Sequence, residues 1–123
     1  MARIVDSRLV LAVHNLETST RFYADVLGFT LHRVDAPGWS FLSRDSFTVM
    51  LGECPGEKPA SELGDHSYVG YLVVEGVDIL HAELSTRGAV VTRPEDKPWG
   101  LREFAVRTPD GHRFTFGERL GQA

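Results

Sequence analysis

The side chains able to do chemistry in this 123-residue chain are five histidines, one cysteine and a set of aromatic rings. A divalent cation requires three or four His, Asp or Glu donors converging on one point. His14 falls at a strand end and His32 on an exposed strand, neither with a partner at ligand spacing. His81 lies on the apolar stripe of a helix, the usual place for a packed core-edge histidine. His112 directly follows a turn glycine and is expected to face solvent. Cys54 is the sole cysteine, so neither an internal disulfide nor a cysteine cage can form, and its turn-rich setting ECPGEKP supplies no base to activate it. Gly28, Gly52, Gly56, Gly64 and Gly88 are scattered singles that suit turns and helix stops, not a phosphate loop. No nucleophile elbow is visible. What remains is Trp39, Phe41, Phe47, Tyr68, Tyr71, Trp99 and Phe104, rings that could line a cavity and stack on a flat ligand. Phe41, Phe47 and Phe104 are expected in the core, and of the other four rings Trp39, Tyr71 and Trp99 are the ligand-binding candidates. Arg8, Glu53, Arg102, Glu103 and Thr115 are candidate polar contacts.

The elements that must position these residues can be read in order. Leu9 to Val13 forms a β-prone run in which Leu9, Leu11 and Val13 share one face and Arg8, Val10 and Ala12 the other. Asn15 offers an N-cap, and Leu16, Phe22, Tyr23, Val26 and Leu27 recur at helical spacing until Gly28. Three short strands follow, Phe29 to Val34, Trp39 to Ser43 and Phe47 to Leu51, separated by turn signals. Gly52 to Asp65 is rich in Gly, Pro and charge and reads as a connecting loop. The order then repeats: a strand over Tyr68 to Val74, a helix over Val77 to Arg87 stopped by Gly88, and a short strand over Ala89 to Thr92. A hairpin, Arg102 to Thr108 and His112 to Phe116, turns on Pro109, Asp110 and Gly111, with positive φ expected at the Asp-Gly pair. The fold class is therefore α+β with two βαβββ modules: module 1 about 7–52, a linker about 53–66, and module 2 about 67–118, in one domain spanning 1–123.

Composition narrows the function classes. The net charge is −4 and the basic residues are scattered, which argues against a nucleic-acid partner and suits a cationic small molecule. No apolar run approaches the ~20 residues of a membrane span, and no apolar segment ends in a small-residue cleavage site, so a cytoplasmic location and no membrane partner are expected.

Three stretches, NLETSTRFYADVLGF at Asn15 to Phe29, VEGVDILHAEL at Val74 to Leu84 and PWGLREFAVRTPDGHRFTF at Pro98 to Phe116, resemble the vicinal oxygen chelate superfamily of glyoxalases, bleomycin-resistance proteins and dioxygenases. The last two look most like the bleomycin-resistance branch. The resemblance implies a cupped mixed sheet built from both modules, and a homodimer with crevices at the subunit interface that binds its drug without changing it. Metal-dependent relatives carry His or Glu at positions falling near Arg8, Leu51, Val69 and Thr115, none a ligand here. Glu53 and His66 are the nearest substitutes and read as solvated loop residues. The expectation is a protein with no cofactor and no metal that sequesters an antibiotic or similar aromatic ligand. The alternatives are a divergent metal-dependent lyase, isomerase or dioxygenase, and an interaction domain that no longer binds a ligand.

Overall fold

A computed structural model describes residues 2–62 and 68–121; His66 and the end of the expected linker lie outside the described residues. The chain divides into two compact units, Met1–Pro59 and Ala60–Ala123, a boundary inside that linker.

The first unit contains β1 (Leu9–Val13), α1 (Leu16–Arg21), which opens into a π-helical turn (Phe22–Val26), β2 (Thr30–His32), β3 (Trp39–Arg44) and β4 (Phe47–Glu53). The strands form one mixed sheet in the order β1-β4-β3-β2, with β1 and β4 parallel. Strand parity behaves as the sequence predicts: Leu11 and Val13 are buried while Val10 and Ala12 are exposed. They pack with Tyr23, Leu27, Phe29, Leu42, Val49 and Leu51 into the unit's core. The Tyr23 ring stands edge-on to both Phe22 and Phe29. Asn15 caps α1 as expected, its Oδ1 accepting the Thr18 N–H at 2.9 Å.

The second unit repeats the plan with β5 (Tyr68–Val73), α2 (Val77–Thr86), β6 (Val90–Val91), β7 (Glu95–Asp96), β8 (Leu101–Arg107) and β9 (Arg113–Arg119). Its sheet runs β5-β9-β8-β6, with β5 parallel to β9 and the short β7 also pairing with β8. β7 was not expected; the edge position beside β8 is shared between two short strands joined by a brief irregular stretch. Phe104, Val106, Phe114 and Phe116 form the core with Val77 and Leu84 of α2. His81 packs edge-to-face on Phe104, a core-edge histidine as predicted.

The two helices are closed in the same way. Glu53, at the end of β4, accepts the Leu16 N–H through Oε2 at 2.9 Å. Glu118, near the end of β9, accepts the Gly76 and Val77 N–H groups at 3.1 and 3.0 Å. Reading Glu53 as a solvated loop residue is thus corrected: the strand runs two residues beyond Leu51, and its last carboxylate meets the N–H groups and positive dipole end of α1.

The hairpin turn brings two further corrections. Only Gly111 has positive φ, at 86°, whereas Asp110 does not. His112, expected in solvent, is only 9% exposed. A short 3-10 turn, Ala60–Glu62, lies against the same hairpin turn, where the Ser61 N–H donates to the Asp110 carbonyl at 2.9 Å. A Cβ on Gly111 would stand 2.7 Å from the Ser61 backbone.

Burial lowers the His112 pKa, partly opposed by the Asp110 charge, and hydrogen bonds from Val77 and Gly76 lower that of Glu118. Both groups bind protons more weakly folded than unfolded, so their contributions are complete above the ordinary values of about 6.5 and about 4.5 and are lost as pH falls below them. A Tm profile against pH should therefore descend in two limbs, the upper flattened by His112→Gln and the lower by Glu118→Gln. Gly111→Ala, which needs an unfavourable φ and displaces Ser61, should cost more than about 1 kcal/mol in urea unfolding.

Candidate functional site

In the second sheet, strand alternation assigns Phe104, Phe114 and Phe116 to the face under α2 and sends their neighbours the other way. On that opposite face Tyr71 of β5 stands in register with Thr115 of β9, and Gly117 of β9 is flanked by Val73 and Glu103. Gly117 leaves the centre of this face empty, and Tyr71 uses the space. A Cβ at Gly117 would lie 2.2 Å from the Tyr71 hydroxyl. The ring thereby crosses β9 and donates its hydroxyl proton to Glu103 Oε1 at 2.9 Å.

Trp99 reaches the same oxygen, its Nε1–H donating at 2.8 Å. It sits in the turn joining β7 to β8, which is closed by the Gly100 N–H on the Lys97 carbonyl at 3.0 Å and the Lys97 N–H on the Leu101 carbonyl at 2.8 Å. Lys97 Nζ stands 5.9 Å from the Trp99 ring centroid and 3.9 Å from Glu95. Two rings, 44% and 60% exposed, are thus held by one carboxylate. Burial, then the Glu103 hydrogen bond and charge, raise the Tyr71 pKa, so its hydroxyl remains a donor at neutral pH.

The remaining candidates separate. Thr115 lies beside Tyr71 on the same face. Arg102 projects to the helix-covered face, where Nε and Nη1 bind Asp78 and Asp96, each at 2.9 Å, so it does not join the Tyr71–Glu103–Trp99 group. Arg8 precedes β1 and pairs with Asp6 at 3.1 Å.

Trp39 belongs to the first unit, 43% exposed on β3 and seated over Gly52, where a Cβ would approach Cη2 to 2.9 Å. It borders an open groove of about 400 Å³ whose walls include Leu31, His32, Val34 and Phe41. Of the rings expected in the core, Phe104 is buried; Phe47 is partly buried, edge-on to Phe29, and Phe41 is partly exposed in this groove.

The positions tied by resemblance to metal binding do not offer a donor set. Leu51 is fully buried against the first unit's core, Val69 occupies an irregularity in the β5–β9 register, and Glu53 is committed to the α1 N-terminus. Arg8 would add a positive charge where a cation must sit. Among the described residues no three His, Cys, Asp or Glu side chains come together to hold a metal.

Sequence reading missed the role of Gly117, Gly52 and the two capping glutamates. The signal was present: LGE at Leu51 to Glu53 and FGE at Phe116 to Glu118 close the last strand of each module alike.

Comparison with known proteins agrees with this architecture. The family model described as the Glyoxalase/Bleomycin resistance protein/Dioxygenase superfamily matches residues 7–116. The bleomycin resistance protein of Geobacillus stearothermophilus is 30% identical over 125 residues, covering 89% of this chain and 93% of that protein. Among solved structures, the bleomycin-binding protein of Streptomyces verticillus, complexed with copper(II)-bleomycin, superposes with a TM-score of 0.72 at 22% identity, covering 99% of this chain and 100% of that one. TnmS3, an antibiotic binding protein from a Streptomyces species, gives 0.72 at 24% identity over 96% of this chain and 99% of its own. With a match that covers nearly all of both units, the chain belongs to the glyoxalase/bleomycin resistance protein/dioxygenase superfamily.

Proposed function

We propose that this protein sequesters an aromatic antibiotic of the bleomycin type, binding it without chemical change. The observation that carries this reading is the pair of exposed rings, Tyr71 and Trp99, fixed on one sheet face by a single carboxylate. Stacking needs flat apolar area already held in position, and an oriented ring loses little freedom when a ligand arrives. The bleomycin resistance proteins among its relatives support the ligand class. Thr115 would contact the ligand beside Tyr71, and Trp39, over its glycine, would supply a further stacking surface.

The donor chemistry at Arg8, Leu51, Val69 and Thr115 favours a site that works without a metal ion. The resemblance favours a homodimer whose subunits jointly form each crevice, with the two modules acting as one domain in the cytoplasm. No helix of the described residues is long and apolar enough to cross a membrane, and the scattered basic residues favour a small molecule over nucleic acid.

Isothermal titration should show saturable binding of bleomycin, and chromatography should recover the drug unaltered. Trp99→Ala should weaken binding by about 1–3 kcal/mol, the usual worth of a stacking aromatic. Absence of binding to bleomycin and to a panel of aromatic antibiotics would overturn the proposal. Light scattering checks the dimer. Stoichiometric Zn, Ni, Mn or Fe in protein purified without chelators would instead favour a metal-dependent enzyme.

A further inference from the structure

Glu103 holds more charge than its visible partners use. Its Oε1 accepts both the Tyr71 hydroxyl and the Trp99 indole N–H, two neutral donors that orient the carboxylate without neutralising it. The ion pairs of the described residues do not include Glu103: Arg102, its neighbour in β8, is turned to the opposite face by Asp78 and Asp96, and Lys97 is directed to Glu95. An ionised carboxylate offers about four lone-pair sites, so after two hydrogen bonds at Oε1 it still has acceptor capacity.

We propose that Glu103 is both the positioning residue of the aromatic face and its specificity determinant, selecting ligands that carry a cationic group beside a flat ring. This rests on the binding reading above. Oε1 fixes the two rings, and the remaining charge receives a ligand ammonium, amidinium or sulfonium at the moment the ring stacks. The backbone supports this division of labour: only glycine at position 117 lets the Tyr71 hydroxyl cross β9 to the carboxylate. Glu103 lies directly across from it in the β8–β9 register.

Two substitutions separate the roles. Glu103→Gln keeps a carbonyl oxygen able to accept both hydrogen bonds and removes the charge, whereas Glu103→Ala removes both. The indole 15N–1H signal of Trp99, distinguished from that of Trp39 by Trp39→Phe, reports ring position before any ligand is added. It should be nearly unchanged in Glu103→Gln and displaced in Glu103→Ala, with Tm confirming that each variant is folded. The same signal then follows titration with N-methylquinolinium, a planar permanent cation, and with 1-methylnaphthalene, its uncharged isostere. The unsubstituted protein should prefer the cation by about tenfold. Glu103→Gln should lower that preference to near unity with the neutral probe's affinity unchanged, and Glu103→Ala should weaken both. The inference is overturned if the unsubstituted protein does not bind the cation, if Glu103→Gln keeps the preference, or if Glu103→Ala leaves the Trp99 signal unmoved. Bleomycin binding that persists alongside any of these results would leave sequestration standing while removing Glu103 from it; the expected probe pattern without bleomycin binding would do the reverse.

Discussion

The N-terminus of each helix is closed by a glutamate carried on the last strand of its own module, and much of the structure follows from that contact. Initial helix N–H groups have no partner within the helix, and a carboxylate supplies both acceptors and a charge matched to the dipole. α1 has a second cap in Asn15, but α2 is capped by Gly76, which has no side chain, so among the described residues the side-chain acceptor there is Glu118. Each glutamate also ties the helix to the strand that pairs in parallel with the module's first strand, fixing where the crossover must land.

Strand alternation builds the candidate site on this structural contact. With Glu118 turned toward α2, the preceding Gly117 must face the other way, and the absent side chain becomes a recess that Tyr71 can cross. Register then places Glu103 opposite that recess, and the tight turn ahead of β8 brings Trp99 to the same oxygen. The outcome resembles a well-ordered paratope, with large rings held by polar contacts before any ligand is present, so little conformational entropy remains to be lost on binding.

Features set by neighbouring residues were legible in the sequence: the alternation of β1, the Asn15 cap, the helix stops at Gly28 and Gly88, and the pairing of β8 with β9. Features set by distant pairing were not. Tyr71 and Glu103 are 32 residues apart, and nothing local announces that one reaches the other across a glycine. His112 looked exposed because its own segment is a turn, yet it is buried; the Ala60–Glu62 turn, which meets that hairpin at Asp110 and Gly111, comes from a stretch whose Gly, Pro and charge suggested a loop. Arg102 and Glu103 both read as polar contacts on a strand, with Arg102 the expected ligand contact, yet alternation gives Arg102 to Asp78 and Asp96 and Glu103 to the rings.

The two modules use the same glycine device with different chemistry. In the first, Gly52 receives Trp39 from the antiparallel neighbour β3, next to a groove with Leu31, Val34 and Phe41 in its walls. In the second, Gly117 receives Tyr71 from the parallel neighbour β5, while the register position corresponding to Trp39 is occupied by Glu103. A repeated backbone thus presents an aromatic residue at one position and an anion at its counterpart. The chemistry of each face is set by side chains placed on a shared fold and not by the fold itself.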